Sequence, residues 1–217
     1  MQRSLILALI VVGVVILLWP ENETGKARER KYRTSSRQLP SKISEEEQRK
    51  GLQMMNAMRC NLAPLPLAKT MPALVWDKEL AAVAQAWADR GKFEHSSSGY
   101  GENLAWRSPS LSLEQAVKMW NDERASIIPP KPGNKLVFDT RNNGEAWCKG
   151  GWANCGHATQ MYWAETTRVG CGKDSAGKFI VCNYSPPGNY QGRPVYEPAS
   201  GSSSSATSNN TDACLAK

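Results

Sequence analysis

Two histidines in 217 residues, His95 and His157, are all the imidazole this chain offers to a proton or a metal ion. His95 stands in Phe93-Glu94-His95-Ser96, at the head of the serine run Ser96 to Ser98. His157 follows Cys155-Gly156, and six cysteines, Cys60, Cys148, Cys155, Cys171, Cys182 and Cys214, all lie after residue 59. Metal-assisted, serine and thiol chemistry therefore come into question, and spacing weighs on each. The HExxH signature of a zinc peptidase is missing. The serine run has neither the strained G-x-S-x-G turn nor an assignable oxyanion hole, so it reads as a loop. No CxxC pair offers a four-thiolate metal site, and an even cysteine count behind an apolar N-terminus reads as disulfides formed in an oxidising compartment.

The elements that must position these residues are predominantly helical at first. Ser44 with Glu47 makes a capping box that opens a helix running to about Arg59, in which Met54, Met55 and Met58 read as core. Asp77 caps a second helix, with Leu80, Val83, Ala84 and Trp87 at helical spacing and Gly91 as its stop. Ser112 with Gln115 opens a third, Leu113 to Glu123, and Glu123 falls three residues beyond Trp120, on the same side. A fourth, short helix carries His157 to Trp163; the free N–H groups and dipole at its start are expected to resist protonation of His157. Thr166 to Cys171 and Lys178 to Tyr184 read as antiparallel strands joined at Ser175-Ala176-Gly177. Six cysteines allow 15 pairings; that turn favours Cys171 with Cys182, Cys148 with Cys155 is a further candidate pairing, and Cys60 with Cys214 would be left by elimination. Helices over a small antiparallel sheet make an α+β fold.

The ends differ in composition from this domain. Leu5 to Trp19 is an apolar run behind Arg3, of a length that suits a secretory signal better than a spanning helix. Trp19-Pro20-Glu21-Asn22 is a poor peptidase site, so a retained signal-anchor is the alternative, and both readings export the domain. The formal charge of +7 favours anionic contacts. Much of it sits in Lys26, Arg28, Arg30, Lys31, Arg33 and Arg37, which read as a solvated basic linker. No basic-aromatic stripe of the kind that binds single-stranded nucleic acid is present, and a nucleic-acid partner is not expected. Ser202 to Asn210 cannot bury enough apolar surface to order itself. Sequons at Asn22, Asn183 and Asn209 agree with secretion, though Asn183 lies beside Cys182 where burial would block it.

Two stretches carry a family likeness: CGHATQMYWAETTRVGCG, residues 155–172, and VCNYSPPGNY, residues 181–190. With FEHS before GENLA (101–105) and MWNDE (119–123), they resemble the signature segments of the CAP superfamily, the cysteine-rich secretory, antigen 5 and pathogenesis-related proteins, in the family's order. The resemblance runs from about Glu45 to Tyr196. It implies a three-layer α-β-α sandwich with a small central antiparallel sheet, and a CAP domain at 41–196 between a leader (1–20), a basic linker (21–40) and a serine-rich tail (197–217). It also implies that His95, Glu102, Glu123 and His157 converge in a central cleft. Such a set suits Zn²⁺ or another divalent cation, and a metal-bound water with a glutamate base would permit hydrolysis. Ala158 departs from the aromatic that the family usually carries after this histidine. The prolines and Gly188 of CNYSPPGNY read as a clasp behind the last strand.

The resulting expectation is a secreted, extracellular, non-enzymatic binding or effector protein of venom-allergen-like type, acting in defence or immune modulation. Its expected partners are a sterol or fatty acid and a cell-surface or host receptor, with membrane contact if the N-terminal segment is retained. Ile127-Ile128-Pro129-Pro130 reads either as an exposed apolar loop for lipid contact or as core. A metal-dependent hydrolase and a pure receptor-binding module are the alternatives.

Overall fold

Ser44, Asp77 and Ser112 start the three main helices, as their side chains dictate. In the computed structural model, which describes residues 42–199, Ser44 accepts from the Glu47 N–H at the head of α1 (Glu45–Cys60). Asp77 takes the N–H groups of Glu79 and Leu80 at the head of α2 (Lys78–Ala88). Ser112 and Gln115 form a reciprocal capping box on α3 (Leu113–Asp122). Each satisfies donors that a helix start would otherwise leave unpaired. A 3-10 turn, Glu123–Ser126, continues from α3, and the short helix α4 (Gly156–Met161) carries the second histidine.

Four strands, β1 (Val75–Trp76), β2 (Gly101–Trp106), β3 (Arg168–Lys173) and β4 (Phe179–Ser185), form one sheet in the order β1-β3-β4-β2. The β3–β4 hairpin falls where the sequence places it. The central pairings are antiparallel, and only the two-residue edge strand β1 runs parallel to its neighbour β3. β1 and β2 are additions to the sequence reading. Gly101-Glu102-Asn103 opens like a loop and lacks alternation, and it becomes a strand through pairing with β4, from Gly101 opposite Tyr184 to Trp106 opposite Phe179.

Helices cover both faces of the sheet. On one face α2 lies directly on β3, where glycine makes the approach possible: a Cβ at Gly170 would fall 2.2 Å from the Ala81 nitrogen. Ala84, Ala88, Leu104, Phe179 and Val181 fill the contact. On the other face α1, α3 and α4 enclose the larger core, including Met55, Leu113, Trp120, Tyr162 and Tyr184. The result is the expected α-β-α layering. β2 is an edge strand, and Arg107 N–H donating to the Lys178 carbonyl fixes the phase of its pairing, so the backbone groups of Leu104 face outward. The indole N–H of Trp120 takes the outward Leu104 carbonyl at 2.9 Å and closes the middle of that edge.

Arg59 ties the layers together in a way the sequence did not announce. It is 1 % exposed, and its guanidinium donates to the carbonyls of Pro72, Met161, Trp163 and Thr166 at 2.6–3.2 Å. The expected disulfides Cys148–Cys155 and Cys171–Cys182 are both formed. Cys60 is also disulfide-bonded, and its expected partner Cys214 lies outside the described residues. The leader, the basic linker, the serine-rich run and the sequons Asn22 and Asn209 lie outside them as well. Among the described residues no helix is long and apolar enough to cross a membrane.

Candidate functional site

The four predicted residues form two histidine–glutamate pairs. In the first, His95 Nδ1 meets Glu102 Oε1 at 2.9 Å. Glu102 projects from β2 with a side chain 5 % exposed, whereas the His95 ring is 64 % exposed on the loop before it. The same carboxylate accepts from the Ser96 N–H at 2.8 Å and the Ser96 hydroxyl at 2.6 Å. Burial alone would raise the pKa of Glu102, but the donors from His95 and Ser96 outweigh it and hold the carboxyl below its ordinary value. Ser96 therefore serves as a donor to an acid; its hydroxyl is turned to Glu102, which agrees with the loop reading of the serine run.

The second pair joins His157 Nδ1 to Glu123 Oε1 at 2.5 Å. The other carboxylate oxygen accepts the backbone N–H groups of His157 and Ala158 at 2.9 and 3.2 Å. Glu123 thus supplies the N-terminal cap of α4 from a distant segment. The N–H groups expected to face the imidazole are committed to this carboxylate instead, because a charge-assisted bond to Glu123 outcompetes the weaker ring contact. Trp120 lies beside the His157 ring, with centroids 6.2 Å apart, as its spacing from Glu123 implies.

Asn103 links the two pairs. It is the chain neighbour of Glu102, is buried, and its amide donates to the His157 carbonyl at 3.1 Å and contacts the Tyr184 hydroxyl at 3.3 Å. Its signal in the sequence is an asparagine directly before the apolar run Leu104-Ala105-Trp106, where a buried polar side chain needs a partner. The segment after β4 closes over α4: Gly188 N–H donates to Gln160 Oε1 at 2.9 Å, and Asn189 binds both the Thr159 hydroxyl and the Gly156 carbonyl at 2.8 Å. That is the clasp read from its prolines and glycine. Ile127 is buried in the core at 3 % exposure, whereas Ile128 and Pro130 are half-buried and Pro129 is exposed.

In both pairs the carboxylate holds Nδ1, which leaves Nε2 as the ring nitrogen free to bind. Orientation of a histidine by a carboxylate on its far nitrogen is the usual support of a metal-ligating imidazole. Among the described residues no three of His, Cys, Asp and Glu come together in an arrangement able to hold a metal ion. Each pair thus offers an ion a single imidazole Nε2, its glutamate being engaged in orienting the ring.

The cysteine-rich secretory protein family, CAP, matches residues 52–184 of the chain. Venom allergen 5.02 of Vespa crabro is 36% identical over 155 residues, spanning 64% of this chain and 69% of the relative. Venom allergen 5 of Dolichovespula arenaria is 37% identical over 155 residues, with 64% and 70% covered. Among solved structures, NaASP2 with Zn2+ is similar at 30% identity and a TM-score of 0.61, covering 74% of this chain and 90% of that one. BmVAL-1 follows at 26% identity and a TM-score of 0.60, with 73% and 85% covered.

Proposed function

The chain belongs to the cysteine-rich secretory protein family, and on that premise we propose that it is an exported, non-enzymatic binding protein whose histidine–glutamate pairs hold a zinc-like divalent cation. The observation that carries the reading is the shared geometry of His95 and His157, each gripped at Nδ1 by a glutamate. A relative of the same fold has been solved with Zn2+. When bound, the ion would supply a positively charged, water-bearing centre for recognition of an anionic or carbonyl-bearing ligand.

The chain's own residues favour binding over hydrolysis. Hydrolysis on a metal-bound water needs a carboxylate free to take its proton. Glu102 and Glu123 both accept several hydrogen bonds already, from His95 and Ser96 in one case and from His157 and Ala158 in the other. Carriage of a sterol or fatty acid draws no support from Ile127, which lies in the core.

Calorimetric titration of the oxidised full-length chain with Zn²⁺ tests the reading. Saturable binding is expected, abolished in His95→Gln and in His157→Gln. Glu123→Gln keeps both imidazoles and should weaken binding by about 10–100-fold through lost orientation. Binding that survives both histidine replacements, or none at all, overturns the proposal.

A further inference from the structure

Away from the histidines, one end of the sheet gathers aromatic rings and cations that the candidate site does not use. Phe179, buried at the start of β4, is met edge-on by Phe93 at 5.6 Å and faces Trp106 across the strand pair. Both of these neighbours are open to solvent, Phe93 at 63% and Trp106 at 52%. Arg90 lies over the Trp87 ring at 4.3 Å, and Trp87 packs on the cluster that contains Phe179. Arg107 and Lys178 are joined through their backbones, and Lys92 adjoins Phe93.

The charge at this end is unbalanced. Arg90, Lys92, Arg107 and Lys178 make no ion pair among the described residues; exposed Lys69, Lys78, Lys131 and Lys149 elsewhere are unpaired as well, but the first four gather around the exposed rings. Of the nearby acids, Asp89 is paired with Lys42 and Asp174 accepts the backbone N–H groups of Lys178 and Phe179. Glu94 remains as the acid of the loop itself.

Lys42 also bonds at this end. Lys42 N–H donates to Gln85, and its ammonium to Asp89 and Ser175. These contacts lie on α2 and on the β3–β4 turn, which lead into Lys92 and Lys178 respectively. The residues before Lys42 contain the apolar run Leu5 to Trp19 and the basic run Lys26 to Arg37.

We propose that this aromatic and cationic end of the domain docks on an anionic phospholipid bilayer, with Phe93 and Trp106 entering the headgroup region and the four cations facing lipid phosphates and carboxylates. Exposed aromatic rings partition to that interface, and basic side chains near them add attraction to anionic lipid. An anionic bilayer satisfies rings and cations together; a soluble polyanion would leave Phe93 and Trp106 in water.

Hydrogen exchange of the full chain distinguishes these cases. The chain is mixed with vesicles of phosphatidylcholine alone or of phosphatidylcholine with phosphatidylserine, and the amides of Phe93, Ser108 and Ser110 are followed. Protection is expected with the anionic vesicles only, and is lost in high salt. Lys92→Glu and Arg107→Glu should each lower the docked-to-undocked ratio by at least about fivefold. Phe93→Ser should reduce it as well, and all three sites are exposed enough for the variants to fold. Equal exchange with both vesicle types overturns the proposal, as does equal protection by soluble heparin without vesicles, which would assign the patch to a polyanion.

Discussion

Arg59 brings a positive charge into the core, where burial lowers its pKa to about 10, still well above neutrality. It is held by four backbone carbonyls, and among the described residues it has no carboxylate partner. Arg59→Met would remove the charge and leave those acceptors buried and unpaired, which should cost about 3 kcal/mol or more. Urea unfolding of the oxidised protein checks this, and a loss under about 1 kcal/mol would show that the carbonyls find other donors. Glu102 makes a second prediction at this scale. Its folded pKa is depressed, so its contribution is complete above the unfolded value of about 4.5 and is lost as pH falls through the folded value. Wild-type stability should therefore fall below about pH 4.5, and Glu102→Gln should flatten that acid limb. Unfolding midpoints at neutral and acid pH should converge for the two proteins as pH drops. The opposite trend, divergence in acid, would contradict the assignment.

At the scale of elements, the approach of α2 to β3 depends on residues with no side chain. A Cβ at Gly170 would meet the Ala81 nitrogen at 2.2 Å and the Asp77 carbonyl at 2.4 Å, and backbone atoms of a packed helix cannot move aside cheaply. Gly170→Ala should destabilise by about 3 kcal/mol or more, at the upper end of overpacking effects. Gly177, in the β3–β4 turn at φ +68 with nothing near its Cβ, gives the contrasting case. There alanine meets only backbone strain and should cost about 1 kcal/mol. Thermal melts of the two variants separate these mechanisms; equal losses would mean that α2 slides away from the sheet to admit a methyl group. The capping residues of α1, α2 and α3 were legible because each bonds within its own turn. The cap of α4 was not, since Glu123 reaches it from 34 residues away.

For the whole molecule, the fold decides which sequons can be used. Asn183 stands in the middle of β4 with both side-chain polar atoms buried and 0 % exposure. It lies directly opposite Glu102 on one side and Gly170 on the other. A glycan cannot be carried there by the folded domain, so glycopeptide mass spectrometry of protein expressed in glycosylating cells should find Asn183 unmodified. Carbohydrate on a folded, disulfide-bonded fraction at this site would contradict the placement of β4. The disulfides act at the same scale. Cys171–Cys182 joins β3 to β4, and Cys148–Cys155 closes the loop that leads into α4, so an oxidised bridge stands directly before the helix carrying His157.

Much of this protein is determined within short stretches of its sequence. Capping residues, helical spacing and a turn over Ser175-Ala176-Gly177 act on neighbours a few residues apart, so the helices, the β3–β4 hairpin and its disulfide follow from local chemistry. Signature segments identified the four site residues and the three-layer fold through their order. Tertiary structure decided the rest, because it depends on contacts between residues far apart in the chain. Pairing with β4 makes Gly101–Trp106 a strand, and a buried cluster of carbonyls holds Arg59. Neither partner is visible from the local sequence. The same reason governs the site: types and order name two histidines and two glutamates, but only the folded chain sorts them into two pairs, each bonded through Nδ1.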